Sequence, residues 1–168
     1  AAWRWGGAGE LGKQLAERAI GEEDLVTVMG FAERILERPI ELIDGVRDTL
    51  EYLSGRHELT LFTKGHPDEQ TLKIDRSGLG GFFAHKAVVQ EKDVAAYTRL
   101  VEARALVPDR SWMVGNSPKS DINPALAIGL NAVFVPHAHT WVLERQEIRP
   151  GRGRLIVIEQ FRDLQRHF

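Results

Sequence analysis

Cysteine is absent from the 168 residues, which excludes thiolate metal sites, disulfide frameworks and cysteine nucleophiles. No apolar run approaches the roughly 18 residues that a bilayer span needs. The opening Ala1-Ala2-Trp3-Arg4-Trp5-Gly6-Gly7 also lacks the apolar centre of a signal peptide. An excess of one charge is missing too. The 22 basic and 24 acidic residues leave a formal −2 with the signs interspersed, so no global field favours nucleic acid or an anionic membrane. Any affinity for phosphate must therefore be local. No glycine-rich loop of the kind that wraps a nucleoside triphosphate occurs, which argues against an ATPase, and there is no internal repeat or low-complexity tract. The expectation is a soluble, cytoplasmic protein of one domain, or one domain with a small appendage, long enough to bury a core unaided.

Periodicity divides what is present. Up to residue 40 the pattern is helical, with Leu11, Leu15 and Ile20 on one stripe and Leu25, Met29, Ala32 and Leu36 on another. Gly21 separates the stripes, Glu22, Glu23 and Asp24 suit the second helix's first turn, and Pro39 closes it. Val46, Leu50 and Leu53 predict a further helix ending at Gly55. Strands and helices then alternate. Strands are expected at residues 59–63, 86–89, 111–114, 132–135 and 155–158, and helices from Pro67 towards Gly78, from Asp93 through Ala105, from Ile122 to Ile128, and around Phe161, Leu164 and Phe168. Arg149 to Arg154 is expected to be a solvated Gly/Arg/Pro linker. Such alternation implies an α/β fold, a parallel sheet with helices on both faces. Ligands of such sheets sit at the carboxyl ends of the strands.

That rule directs attention to three strand ends. Thr63 can donate a hydroxyl to a phosphate oxygen, and the Lys64-Gly65 amides add donors where the missing Cβ of glycine allows close approach. Lys92, ahead of a helix N-terminus, offers a point charge to a transferring phosphoryl group. In Trp112-Met113-Val114-Gly115-Asn116-Ser117-Pro118-Lys119-Ser120-Asp121-Ile122-Asn123-Pro124, an apolar strand runs into a polar turn. There Asp121 supplies the hard oxygen that magnesium prefers, and Asn116 offers a carbonyl or holds a bound water. Each residue has a plainer reading: Thr63 as a β-branched strand residue, Lys92 as a solvated lysine, and Asn116, Ser117 or Asp121 as a helix cap. What favours the chemical reading is that they occur together and in this order.

In that order they resemble the motifs of the haloacid dehalogenase superfamily of hydrolases, most of which are phosphatases. Leu59-Thr60-Leu61-Phe62-Thr63-Lys64-Gly65 looks like the second motif, Lys92 stands where the third places its lysine, and Gly115 to Asp121 looks like the fourth. The likeness spans residues 40 to 136. It implies a three-layer Rossmann-like core over residues 41–168, with residues 1–40 as part of a helical cap. It also implies magnesium as cofactor, Asp121 and Asn116 as metal residues, Thr63 and Lys92 as catalytic residues, and Thr63, Lys64, Gly65 and Lys92 as the phosphate site. Asn116 departs from the aspartate common at its place.

A larger departure concerns the nucleophile. The family attacks phosphorus with an aspartate at the end of its first strand, assisted by a second aspartate two residues on, and no such pair exists here. In Ile40-Glu41-Leu42-Ile43-Asp44-Gly45-Val46-Arg47-Asp48-Thr49, Val46 occupies the second position, and the helical period assigns the stretch to a helix before residue 59. In the family this strand lies between those carrying Thr63 and Gly115. We therefore expect that an N-terminal piece of the natural gene product is missing through truncation, proteolysis or disorder; the tryptophan-rich start, Trp3 and Trp5, fits an interrupted cap.

The expected function is a magnesium-dependent phosphatase of a small phosphorylated metabolite, working through an aspartyl-phosphate, with no nucleic-acid or membrane partner. A dehalogenase of the same family would keep the nucleophile and need no magnesium. The rival is a catalytically silent phosphate-binding or protein-interaction domain on the same fold. His137 and His139 alternate in a loop, and Arg149, Arg152 and Arg154 cluster, but exposed polar residues and a solvated linker account for both.

Overall fold

A computed structural model describes residues 40–138 and 140–168, all within the unit Ile40–Phe168. The helical pair and partial cap expected before residue 40, Trp3 and Trp5, and His139 lie outside the described residues. The elements are α1 (Val46–Ser54), β1 (Thr60–Lys64), α2 (Pro67–Ser77), β2 (His85–Val89), α3 (Val94–Ala103), β3 (Trp112–Gly115), α4 (Asn123–Ala127), β4 (Asn131–Phe134) and β5 (Leu155–Val157). Local chemistry sets their ends. Pro67 starts α2, where its missing N–H has no intrahelical partner to lose, and Gly78 ends it at φ 64°, a conformation that strains residues bearing a Cβ. Asp93 caps α3 by accepting the Ala96 amide at 2.8 Å.

Among the described residues every strand pairing is parallel, but the strands form two separate ladders, β1-β2 and β3-β4-β5. Side chains alternate across both. Phe62 and Met113 pack with Ala96, Tyr97, Ala125 and Leu130 on one face. Trp112, Val114 and Val133 pack with Leu53, Leu164 and Phe168 on the other. Apolar burial on both faces makes this the three-layer α/β architecture that the alternation predicts.

Between the ladders lies a cavity of about 740 Å³, lined by Thr60 to Thr63 of β1 and Ser111 to Val114 with β3. Leu50 and Leu53 of α1 border it, as do Gln70 and Ile74 of α2. It is therefore a slot in the sheet layer with helices around it. Among the described residues β1 pairs only with β2, and β3 only with β4, so each has one edge that no described strand pairs. Their burial shows the same thing. All of β3 and most of β1 are only half-buried, whereas Ala132 and Val133 of β4 are fully buried.

The helix expected around Phe161 and Leu164 forms as a 3-10 helix, Phe161 to Arg166. Three residues per turn bring Phe161 and Leu164 to one side, and Gln160 and Asp163 close a reciprocal capping box. The 149–154 segment is exposed except at Gly153, as a solvated linker should be, but its backbone is tied to the core: Arg152 donates its amide to Leu126 at 2.9 Å, and the Arg154 carbonyl accepts from Ala132 at 2.8 Å. A Cβ on Gly153 would lie 1.8 Å from the Leu130 carbonyl oxygen, and one on Gly151 would lie 2.5 Å from that of Leu126. Glycine is needed there for space. Gly153→Ala is accordingly expected to destabilise the fold by about 1–3 kcal/mol or more, read as a lower urea midpoint; an unchanged midpoint would contradict this packing.

Candidate active site

The turn after β3 is built around one carboxylate. Ser117 supplies the helix cap, its Oγ accepting the Ser120 amide at 2.8 Å, so Asp121 is not used for capping. The turn 118–122 is wound as a π-turn, with the Ile122 amide reaching back five residues to the Ser117 carbonyl at 3.1 Å. Asp121 folds back over the strand end and accepts the Ser117 amide on Oδ2 at 2.9 Å. Gly115 makes room for this: a Cβ there would fall 2.3 Å from Asp121 Oδ2. Pro124 has no N–H to offer the Ser120 carbonyl one turn earlier. That carbonyl instead accepts the Tyr97 hydroxyl at 3.1 Å, and the Asp121 carbonyl accepts it at 3.2 Å. Burial first, and the Asp121 charge second, push the Tyr97 phenol well above its ordinary range, so it stays protonated as this donor.

Asp121 Oδ1 receives the Lys92 ammonium in an ion pair buried on both sides. Lys92 also sits 5.2 Å from the centre of the Phe62 ring. Two of the sequence-selected residues, from the ends of β2 and β3, are therefore in direct contact. Asn116 is exposed and donates Nδ2–H to Thr140 Oγ1 at 2.8 Å. Thr63 donates its hydroxyl to Gln70 Oε1 at 2.8 Å. The Gly65 amide donates to Val89 at 2.9 Å, so this donor is already used. Gly65 itself has φ 137°, and a Cβ there would meet Gln70 Nε2 at 2.8 Å.

Lys64 belongs to a second polar cluster that sequence reasoning did not anticipate. Its ammonium reaches Glu144 at 2.7 Å, Ser120 Oγ at 3.0 Å and Glu91 at 3.3 Å. Glu144 also accepts both the Ser117 and Ser120 hydroxyls at 2.5 Å. Burial works against the charge on Glu144, but hydrogen bonds from Lys64, Ser117 and Ser120 outweigh it and bring the carboxyl down to about 2. Burial likewise pulls Lys64 down, and Glu144 and then Glu91 reverse this to a net rise. Glu144 lies in a short 3-10 turn with no periodic signal; Gln70 and Tyr97 were visible only as helix residues.

The hard oxygens suited to a divalent cation are those of Asp121 and the Asn116 carbonyl. Among the described residues no group of three His, Cys, Asp or Glu side chains converges. Each Asp121 oxygen has a lone pair beyond its one hydrogen bond, and magnesium normally keeps waters and takes only one or two carboxylates besides phosphate oxygens. The donor set thus fits one wall of such a site.

No family model and no curated protein matches the chain significantly. Solved structures do. A haloacid dehalogenase-like family hydrolase from Xanthomonas campestris is 30% identical, aligned over 94% of this chain and 68% of its own, with a TM-score of 0.73. The HAD-hydrolase YfnB of Bacillus subtilis, solved with magnesium bound, is 20% identical over 94% and 68%, with a TM-score of 0.69. A 2-haloacid dehalogenase from Pseudomonas syringae pv. tomato is 21% identical over 91% and 64%, with a TM-score of 0.61. The chain belongs to the haloacid dehalogenase-like family of hydrolases.

Lys92→Met leaves the Asp121 carboxylate buried without its counter-ion, an expected loss of about 3–5 kcal/mol in urea denaturation; a smaller loss than for an exposed lysine would argue against the pair. The lowered Glu144 carboxyl predicts a pH effect. Its stabilisation is complete above the ordinary value of 4.5 and is lost as pH falls towards about 2. The stability gap between wild type and Glu144→Gln should therefore be constant at neutral pH and close across that window; a gap independent of pH would contradict the network.

Proposed function

We propose that the protein is a magnesium-dependent phosphatase of a small phosphorylated metabolite, acting in the cytoplasm. The observation that carries this reading is the buried Lys92–Asp121 pair, which follows the carboxyl ends of β2 and β3, beside a slot bordered by β1 and β3. A strand filling the slot would pair with both edges and end beside that pair. On this reading its aspartate attacks phosphorus and the bond to the leaving alcohol breaks, while a second aspartate two residues on donates the proton the alcohol needs. Water, deprotonated by that same second carboxylate, then attacks phosphorus of the aspartyl-phosphate and releases inorganic phosphate.

The chain's own residues have defined tasks. Lys92 holds phosphoryl oxygens while paired to Asp121, and Thr63 turns its hydroxyl from Gln70 to the substrate. Asp121, with Asn116, would hold magnesium, which when bound neutralises charge on the phosphoryl group. Asp44 does not supply the nucleophile: it is exposed, at the head of α1, and pairs with Arg162 at 3.5 Å.

The rival is a silent phosphate-binding or protein-interaction domain. Reading the coding sequence upstream of Ala1 separates the two: an apolar strand ending in Asp-x-Asp supports catalysis, and its absence supports the rival. In the natural protein, Asp121→Ala is expected to reduce magnesium-dependent hydrolysis of p-nitrophenyl phosphate to background. Unchanged turnover would overturn the assignment, and magnesium-independent release of halide from a 2-haloacid, with no hydrolysis of the phosphate ester, would point to dehalogenase chemistry.

A further inference from the structure

An ammonium has three N–H donors, and Lys64 uses all of them on Glu144, Ser120 and Glu91. Among the described residues Lys92 uses one, on Asp121, which leaves two for a ligand. The two lysines sit at neighbouring strand ends and carry the same charge, but only Lys92 has donors left for a substrate. The difference is made by Glu144, whose side chain is only 12% exposed. It gathers Lys64 from the end of β1 and the hydroxyls of Ser117 and Ser120 from the turn after β3. Four residues earlier, Thr140 holds Asn116. The segment after β4 therefore grips the turn at Asn116, Ser117 and Ser120, the residues that lead into Asp121.

We infer that Glu144 is a positioning residue for the proposed magnesium and phosphate site. Its carboxylate fixes the 116–121 turn and withholds the Lys64 ammonium from substrate, leaving Lys92 as the cation that meets phosphate. The inference rests on the function proposed above, and its test keeps the two apart. Binding of magnesium, and of inorganic phosphate in its presence, is measured by calorimetry on the natural protein and on the Glu144→Gln, Lys64→Gln, double and Asp121→Asn variants, each checked for folding by circular dichroism. Partners that orient metal-binding groups typically change metal affinity 10–100-fold. Glu144→Gln and Lys64→Gln are each expected to weaken magnesium binding roughly tenfold at full folding, with the double variant no worse than Glu144→Gln because both break one unit. If Glu144→Gln fails to fold, Lys64→Gln, whose side chain is 29% exposed, carries the test. Unchanged affinities in both single variants, alongside loss in Asp121→Asn, would overturn the positioning role and leave the proposed function standing. No loss in Asp121→Asn would remove the proposed function and the inference together.

Discussion

The structure depends on opposite charges meeting across a sheet that no backbone ladder closes. The β1-β2 and β3-β4-β5 ladders share no hydrogen-bonded strand pair among the described residues, yet two lysines from the first meet two carboxylates from the second, Lys92 with Asp121 and Lys64 with Glu144. Buried ion pairs contribute little net stability over apolar packing, but removing one partner is costly. They therefore set register more than strength. Here the register aligns the carboxyl ends of the strands, where ligands of open α/β sheets bind.

That alignment rests on small backbone choices. Gly115 provides the space into which Asp121 folds, Ser117 takes over capping, and Pro124 exposes the carbonyl that Tyr97 grips. The Phe62 and Tyr97 rings meet edge to face at 4.9 Å beneath Lys92, so the ammonium lies over an apolar floor. A charge so placed is already desolvated and oriented, and reorganises little when an anion arrives. In the proposed phosphatase, this prepared cation is what the chain contributes alongside its metal wall.

Much of this was legible in the sequence, because the relevant signals are local or periodic. Val46, Leu50 and Leu53 define α1, Asp93 caps α3, and Gly78 ends α2. The order Thr63, Lys92, Asp121 already implied a shared edge; Lys92 meets Asp121 there, while Thr63 bonds Gln70. What escaped notice depends on tertiary placement. Glu144 stands in an irregular segment beside the exposed Trp141, Val142 and Leu143, where no period marks a buried carboxylate. Gln70 reads as a polar helix position until the structure sets it against Thr63 and Gly65. The basic stretch at Arg149 to Arg154 is solvated as its composition suggests, but composition does not reveal that Gly151 and Gly153 let its backbone touch that of Leu126 and Leu130.

The most direct test is a crystal structure of the natural protein with magnesium and inorganic phosphate. A parallel strand hydrogen-bonded to both β1 and β3 is expected, with phosphate against Lys92 and Thr63 and the metal on Asp121. Phosphate held by Lys64, or β1 and β3 edges facing only solvent, would contradict this arrangement.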